Sequence, residues 1–307
     1  MKRFAISRLS SLGDVVCSLP AASALKRGFP GCEVVWLVDQ RFAGIVECCS
    51  AVDRVVVVDP RDPPTLEGEF DATLDLQGLF KSAWVLRKLN AKQRLGYHWQ
   101  REFSGWFSSR VLPDPTSLHI VDQYVDVARA AGGQADGAEF CLSPHPEDVG
   151  PVSEKLKEAG ALGRFVVLNA GAAWVTKRWP PERFAALADR VARAGLTPVF
   201  MGAGSADEAI VEEVSALVGR PVANLVGKTS VRELVALVAA SQAHVGGDTG
   251  STHIAAALGV PAIGLYSITR PERSCPYGQI ERCLYEPTGL ANLDVDRVWD
   301  KLSAAIA

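Results

Sequence analysis

The stretch "RFAISRLSSLGDVVCSLPAASALKRGF", residues 3–29, changes character twice. "RFAISRL" (3–9) is a short apolar run that reads as a strand. Residues 14–29 place their apolar side chains at helical spacing and read as a helix with an early proline, Pro20. Between the two lie Ser10, Ser11, Gly13 and Asp14, at a strand-to-helix turn. In an α/β protein such turns lie beyond the carboxyl ends of the strands, where ligands bind.

The same alternation continues outward. Strand-like runs at 33–39, 54–59 and 71–77 are separated by helical patterns at 41–49 and 79–89, and a further helix is expected at 122–132. The runs are nearly continuous in apolar residues rather than alternating, the pattern of parallel strands covered on both faces. Residues 90–120 look irregular, and 133–163 read as a connection containing one short helix. A second series then begins, with strands at 164–171, 197–204, 222–227, 243–248 and 261–267. Helices are expected between them at 181–195, 206–219, 230–241 and 251–259, and a last one near 294–306. Ser230 followed three residues later by Glu233 has capping-box spacing. Two successive α/β series predict two Rossmann-like domains, 1–150 and 151–307, facing a cleft, with the last helix free to pack back on the first domain.

Composition narrows the function classes. A chain of 307 residues with 48% hydrophobic content supports two buried cores. A net charge of −3 argues against a general nucleic-acid binder. Seven cysteines, an odd number with no C-x-x-C pair, suit reduced thiols better than a disulfide framework. The start lacks a signal-peptide pattern and no apolar run is long enough to span a bilayer, so a cytoplasmic protein is expected, with peripheral membrane contact open.

Three post-strand loops carry the chemistry. Asp14 is either a cap for its helix or a general base at the mouth of the cleft, while Ser10, Ser11 and Gly13 let backbone pass close to a ligand. "GGDTGSTH" (246–253) repeats that logic: the N–H groups of Thr249, Gly250 and Ser251 suit an anion. The alternative there is a glycine-rich turn capped by Asp248, with His253 as a partly buried structural histidine. "NAGAAWVTKRWPPERF" (169–184) sets Thr176, Lys177 and Arg178 just before a helix start, where cations are disfavoured unless an anion lies between. Solvated surface side chains are the alternative.

Other features carry less. "GKTS" (227–230) lacks the first glycine of a P-loop, since position 222 is Val. "GAG" (202–204) lacks the third glycine of a dinucleotide fingerprint, and Cys275 and Cys283 lack paired ligands for zinc. Residues 81–110 are strongly asymmetric in charge. Lys81, Arg87, Lys88, Lys92, Arg94, Arg101 and Arg110 stand against Glu102 alone, interleaved with Trp84, Tyr97, Trp99, Phe103, Trp106 and Phe107. The first cations fit a solvated helix face. The region around Arg101 fits an anionic, amphipathic partner such as a sugar–phosphate headgroup at a membrane.

Four segments taken in order resemble a known family. "SSLGDVVCSLPA" near the N-terminus, "DLQGLFKS" (75–82), "NAGAAWVTKRWPPERFAALA" (169–188) and "GGDTGSTHIAAALGVPAIGLY" (246–266) look like the bacterial lipopolysaccharide heptosyltransferases of glycosyltransferase family 9. "GYHWQRE" (96–102) is most similar to the heptosyltransferase I branch, which acts on the inner-core Kdo sugar. The resemblance implies a GT-B fold and an inverting transfer from ADP-L-glycero-D-manno-heptose, with no cofactor and no metal required. It implies Asp14 as general base on the acceptor hydroxyl and Lys177 as stabiliser of the leaving diphosphate. On the donor side it implies Thr176, Asp248, Thr249, Gly250 and His253, with Asp207 or Glu208 at the ribose. Ser11, Gly13, Gln77, Lys81 and Arg101 would face an anionic inner-core acceptor of lipopolysaccharide, presented at the inner-membrane surface. One departure is that "DPRDPPTLEGEF" (59–70) is mostly acidic where a dense basic run is expected, which leaves room for a different anionic glycan. Three rival readings are a nucleotide-sugar epimerase on the same fold, a non-catalytic nucleotide-sugar-binding protein and a dinucleotide oxidoreductase.

Overall fold

A computed structural model describes residues 1–171, 178–219 and 222–307. The chain forms two compact units, Met1–Ser143 and Pro144–Ala307.

The first unit contains β1 (Arg3–Ser7), α1 (Leu12–Ser18), α2 (Pro20–Gly28), β2 (Glu33–Val38), α3 (Ala43–Glu47), β3 (Arg54–Val57) and β4 (Phe70–Asp75). It continues with α4 (Phe80–Arg87), β5 (Ala91–Tyr97), β6 (Ser109–Val111) and α5 (Ile120–Ala130). All six strands are parallel, in the order β3-β2-β1-β4-β5-β6. This is the doubly wound order of a Rossmann sheet. Ala5, Val35, Leu37 and Phe70 are buried in one cluster with Val85 and Leu86 of α4.

Two expectations change here. The helix expected over 14–29 is two helices, because Pro20 has no N–H to bond back into α1 and instead opens α2. The segment expected to be irregular, 90–120, holds β5 and β6. Strand β5 exposes Lys92 and Gln93 near the edge of the sheet, so it lacks the continuous apolar run that marks the central strands.

The second unit contains α6 (Pro146–Glu158), β7 (Phe165–Asn169), α7 (Pro181–Arg193), β8 (Thr197–Met201), α8 (Ser205–Val218), β9 (Ala223–Asn224) and α9 (Val231–Ala240). It ends with β10 (His244–Gly247), α10 (Gly250–Ala257), β11 (Ala262–Tyr266), α11 (Pro271–Ser274), β12 (Leu284–Tyr285) and α12 (Val295–Ile306). Its six strands are also parallel, in the order β12-β11-β10-β7-β8-β9. Trp179 is buried edge-on against Phe184, with ring centroids 5.0 Å apart, and donates its indole N–H to the Leu293 carbonyl at 2.9 Å.

The division falls at 143/144 rather than at 150/151. Residues 133–143 stay on the first unit, where Gln134 N–H bonds Ala24 O at 2.8 Å and Ser143 N–H bonds Cys48 O at 3.1 Å. Helix α6 belongs to the second, fixed to α9 by Arg232 on Asp148 at 2.9 Å and Lys155 on Glu233 at 2.5 Å. The last helix, α12, closes the core of its own unit: Val298 and Leu302 are fully buried there, and α12 packs on α7 and β11.

Candidate active site

In each sheet the strand order reverses once, between β1 and β4 in the first and between β10 and β7 in the second. The crevice outside the carboxyl ends of the strands at such a reversal is where open α/β sheets hold ligands. Three of the loops singled out in the sequence leave strands at those two points.

In the first unit Ser7 of β1 lies level with Asp75 of β4. Just beyond, Asp14 is the third residue of α1, with Ser11 as its N-cap. Asp14 accepts three hydrogen bonds, from the Arg8 guanidinium at 2.8 Å, Ser11 Oγ at 2.8 Å and Ser11 N–H at 3.2 Å. A carboxylate offers about four lone-pair positions, so one remains free, and 37% of the side chain is exposed. Burial acts to raise the Asp14 pKa, but the Arg8 charge and the Ser11 donors outweigh it, and the carboxyl is held below the usual carboxylate range. Asp14 is therefore both a cap and an ionised, reachable acceptor.

Arg8 is the buried partner behind it. Its second amino group donates to Leu76 O at 2.6 Å, and its guanidinium carbon lies 5.4 Å from the centre of the Tyr124 ring. Asp75, fully buried, accepts the N–H groups of Gln77 and Gly78 at 3.1 and 3.0 Å. Burial pushes its carboxyl above the usual range.

The acceptor-side candidates partly converge. Gln77 accepts Leu9 N–H at 2.9 Å, and both Gln77 Nε2 and Lys81 Nζ reach Ser10 Oγ at 3.4 Å. Gly13 lies inside α1, next to Asp14. Arg101 belongs to a neighbouring loop: its N–H donates to Gly78 O at 2.8 Å, while its side chain is exposed 5.6 Å from the Trp99 ring centre. Gly78 has φ +70°, and a Cβ there would lie 2.5 Å from Trp99 O, so the close approach of that loop requires glycine.

In the second unit Thr249 is the N-cap of α10, and Gly250 is its first residue. Asn169, at the end of β7, ties the turn to the sheet: its Nδ2 donates to Thr249 Oγ1 at 3.2 Å and to Ser251 Oγ at 2.8 Å. Thr252 Oγ1 donates to Gly247 O at 2.7 Å. Asp248 Oδ1 lies 3.6 Å from Nε2 of the buried His253. The first N–H groups of α10 point out of the helix end, and the local field favours an anion. Asp207 is folded into its own loop, accepting Ala203 N–H at 2.9 Å, and its carboxylate lies where a Cβ on Gly171 or Gly202 would clash. Glu208 is exposed on α8. Thr176 and Lys177 lie outside the described residues, although Trp179 two positions on is locked into the core.

Sequence reasoning missed Arg8, Asn169, His244 and Thr252 as supports of these turns, and read Ser251 for its N–H alone and not for its hydroxyl. Asn169 ending an apolar run was the one available signal. His244 is fully buried on β10, with Nε2 2.9 Å from Ser251 Oγ and no partner for Nδ1 among the described residues. Burial and the neighbouring His253 lower its pKa to about 3. In the unfolded chain it binds a proton near pH 6.5. Stability from keeping it neutral is therefore present above pH 6.5 and is lost as pH falls towards 3. Below 6.5 the expected slope is about 1.4 kcal/mol per pH unit. Urea midpoints at pH 7 and pH 5, where most carboxylates stay ionised, measure the slope, and His244→Gln is expected to flatten it.

Among the described residues no cluster of three or more His, Cys, Asp or Glu side chains is placed to hold a metal ion, and none of the seven cysteines forms a disulfide. Two parallel six-stranded sheets, each reversing its strand order once, are the architecture of the GT-B fold. The chain belongs to glycosyltransferase family 9 (heptosyltransferase), whose model matches residues 65–296. It is 28% identical to lipopolysaccharide heptosyltransferase 1 of Pseudomonas aeruginosa, covering 93% of this chain and 88% of that protein. It is 27% identical to lipopolysaccharide heptosyltransferase 1 of Escherichia coli K12, covering 98% and 99%. The fold matches the E. coli heptosyltransferase WaaC with ADP at a TM-score of 0.80, with 23% identity over 99% of each chain. A glycosyltransferase of family 9 from Veillonella parvula matches at 0.86, with 21% identity over 99% of this chain and 97% of that one.

Proposed function

We propose that this enzyme is an inverting transferase that moves heptose from ADP-L-glycero-D-manno-heptose to an inner-core sugar of lipopolysaccharide, with Kdo as the favoured acceptor. The observation that carries the reading is the pair of turns at the two sheet reversals. One presents an ionised carboxylate with a free lone pair; the other presents helix N–H groups suited to a diphosphate. The first unit then takes the acceptor and the second the nucleotide sugar. An acceptor hydroxyl attacks the anomeric carbon as its proton passes to Asp14. The bond from that carbon to the diphosphate oxygen breaks, and ADP leaves with its new negative charge. Lys177 and the N–H groups of Thr249 and Gly250 stabilise that charge, with Thr176, Asp248 and His253 ordering the donor loops and Asp207 or Glu208 at the ribose. Ser11, Gly13, Gln77, Lys81 and Arg101 position the anionic acceptor. The acceptor is lipid-linked, so the protein works at the cytoplasmic surface of the inner membrane.

The test is product formation from ADP-heptose with a deacylated, Kdo-bearing acceptor and with one ending in heptose. The expected result is addition of one heptose, faster on the Kdo acceptor. Donor binding with no product on either acceptor would favour a non-catalytic binding protein. Donor consumption without acceptor would favour an epimerase.

A further inference from the structure

The loop after β5 carries a feature that transfer chemistry does not use. Phe103 is 68% exposed and Trp106 is 79% exposed, and their rings lie side by side with centroids 4.9 Å apart. Exposed pairs of this size are costly in water and call for an occupant.

The pair is held out by its backbone. Glu102 and Phe103 both adopt left-handed φ, 53° and 62°, which non-glycine residues seldom do. The Arg101 N–H and the Ser104 hydroxyl both bond Gly78 O, at 2.8 and 2.9 Å, and a 3-10 turn over Ser104–Trp106 completes the tip. The loop is therefore anchored to the turn that carries Gln77. It leaves the carboxyl end of β5, on the same edge of the sheet as Asp14.

Its surroundings are basic. Arg101 is exposed two positions before Phe103, and the exposed Arg110 lines, with Arg94, a shallow groove of about 460 Å³ against Trp106. Glu102, the single acid between 81 and 110, accepts the Phe80 N–H at 3.4 Å. Protruding aromatics flanked by arginines match the headgroup level of an anionic bilayer, where Trp is enriched and each nearby cation gains from the surface potential.

We infer that the Phe103–Trp106 tip is a wedge that inserts into the interfacial region of an anionic phospholipid membrane, with Arg110 on the headgroups. This deepens the proposed function and rests on it for one point, that the acceptor is lipid-linked: the wedge sets the acceptor edge of the first unit against the membrane.

The test is co-sedimentation with phosphatidylcholine vesicles, alone and mixed with phosphatidylglycerol, for the wild type and for Phe103→Ser combined with Trp106→Ser. The wild type is expected to bind the anionic vesicles, and the double variant to bind them about tenfold more weakly or worse. Transfer to the deacylated acceptor should be the same for both. Equal vesicle binding by both proteins, or no binding of the wild type to anionic vesicles, overturns the wedge. Quenching of wild-type tryptophan fluorescence by lipids brominated near the headgroup gives a reading that does not depend on a variant folding. Vesicle binding lost in the variant, in a protein that transfers no heptose, would sink the proposed function and leave the wedge standing.

Discussion

Asp14→Asn is expected to lower kcat by about 10²- to 10⁴-fold, the range typical of removing a general base, while donor binding persists. The amide is nearly isosteric and still accepts from Ser11, so the helix cap survives. What goes is the capacity to take a proton as the acceptor oxygen becomes nucleophilic, together with the ion pair to Arg8. The geometry makes this a demanding test, because Arg8 and Ser11 keep the Asp14 pKa low. A carboxylate so stabilised is a weak base in the resting enzyme. It becomes an adequate one late in the transition state, when the attacking hydroxyl has grown acidic through bond formation to the anomeric carbon. Activity is accordingly expected to hold across neutral pH, with its acid limb below the ordinary carboxylate range. Single-turnover rates and donor titrations on both proteins decide the matter. Undiminished transfer in Asp14→Asn would reduce Asp14 to a cap.

The turns were legible in the sequence because their chemistry is local. A strand ends, Ser-Ser-Leu-Gly-Asp or Gly-Gly-Asp-Thr-Gly follows, and a helix begins. The central strands were legible for a related reason: burial on both faces leaves runs such as "EVVWLV" that nothing else explains. Strands β5 and β6 were not, because strands towards a sheet edge mix charge with apolar residues and read as loop. The residues that hold the turns in place were hidden for a different reason. Asn169, Ser251 and Thr252 are small and polar, and only their meeting across β7 and α10 gives them a role. His244 sits under Gly246, where a Cβ would come within 2.9 Å of its ring. The need for glycine there concerns this packing as much as any ligand, and no spacing in the sequence distinguishes the two.

Arg8 is the clearest case, since it lies inside a run that reads as plain strand. Its replacement is expected to have the second-largest effect. The guanidinium is nearly buried, and it links Asp14, the Leu76 carbonyl and the Tyr124 ring, with the charge of Asp75 nearby. Arg8→Gln leaves Asp14 without its counter-charge and Leu76 O without a donor. Breaking a fully buried pair typically costs 3–5 kcal/mol, and because Asp14 is partly exposed the loss here is set lower, at about 2–3 kcal/mol. A stability loss alone would show only that Arg8 is structural. The discriminating readout is the acid limb of the kcat/KM profile. With the Arg8 charge gone, only the Ser11 donors oppose burial at Asp14, its pKa rises, and the limb moves to higher pH. The base is then partly protonated where the wild type is fully active. At neutral pH kcat is expected to fall by about tenfold or more, through lost orientation as well as lost ionisation. Arg8→Lys restores the charge without the fork to Leu76 O. It should return the acid limb towards its wild-type position while recovering only part of the stability. If the limb stays in place in Arg8→Gln, Arg8 does not set the ionisation of Asp14. If it moves in both variants alike, orientation rather than charge is what Arg8 supplies.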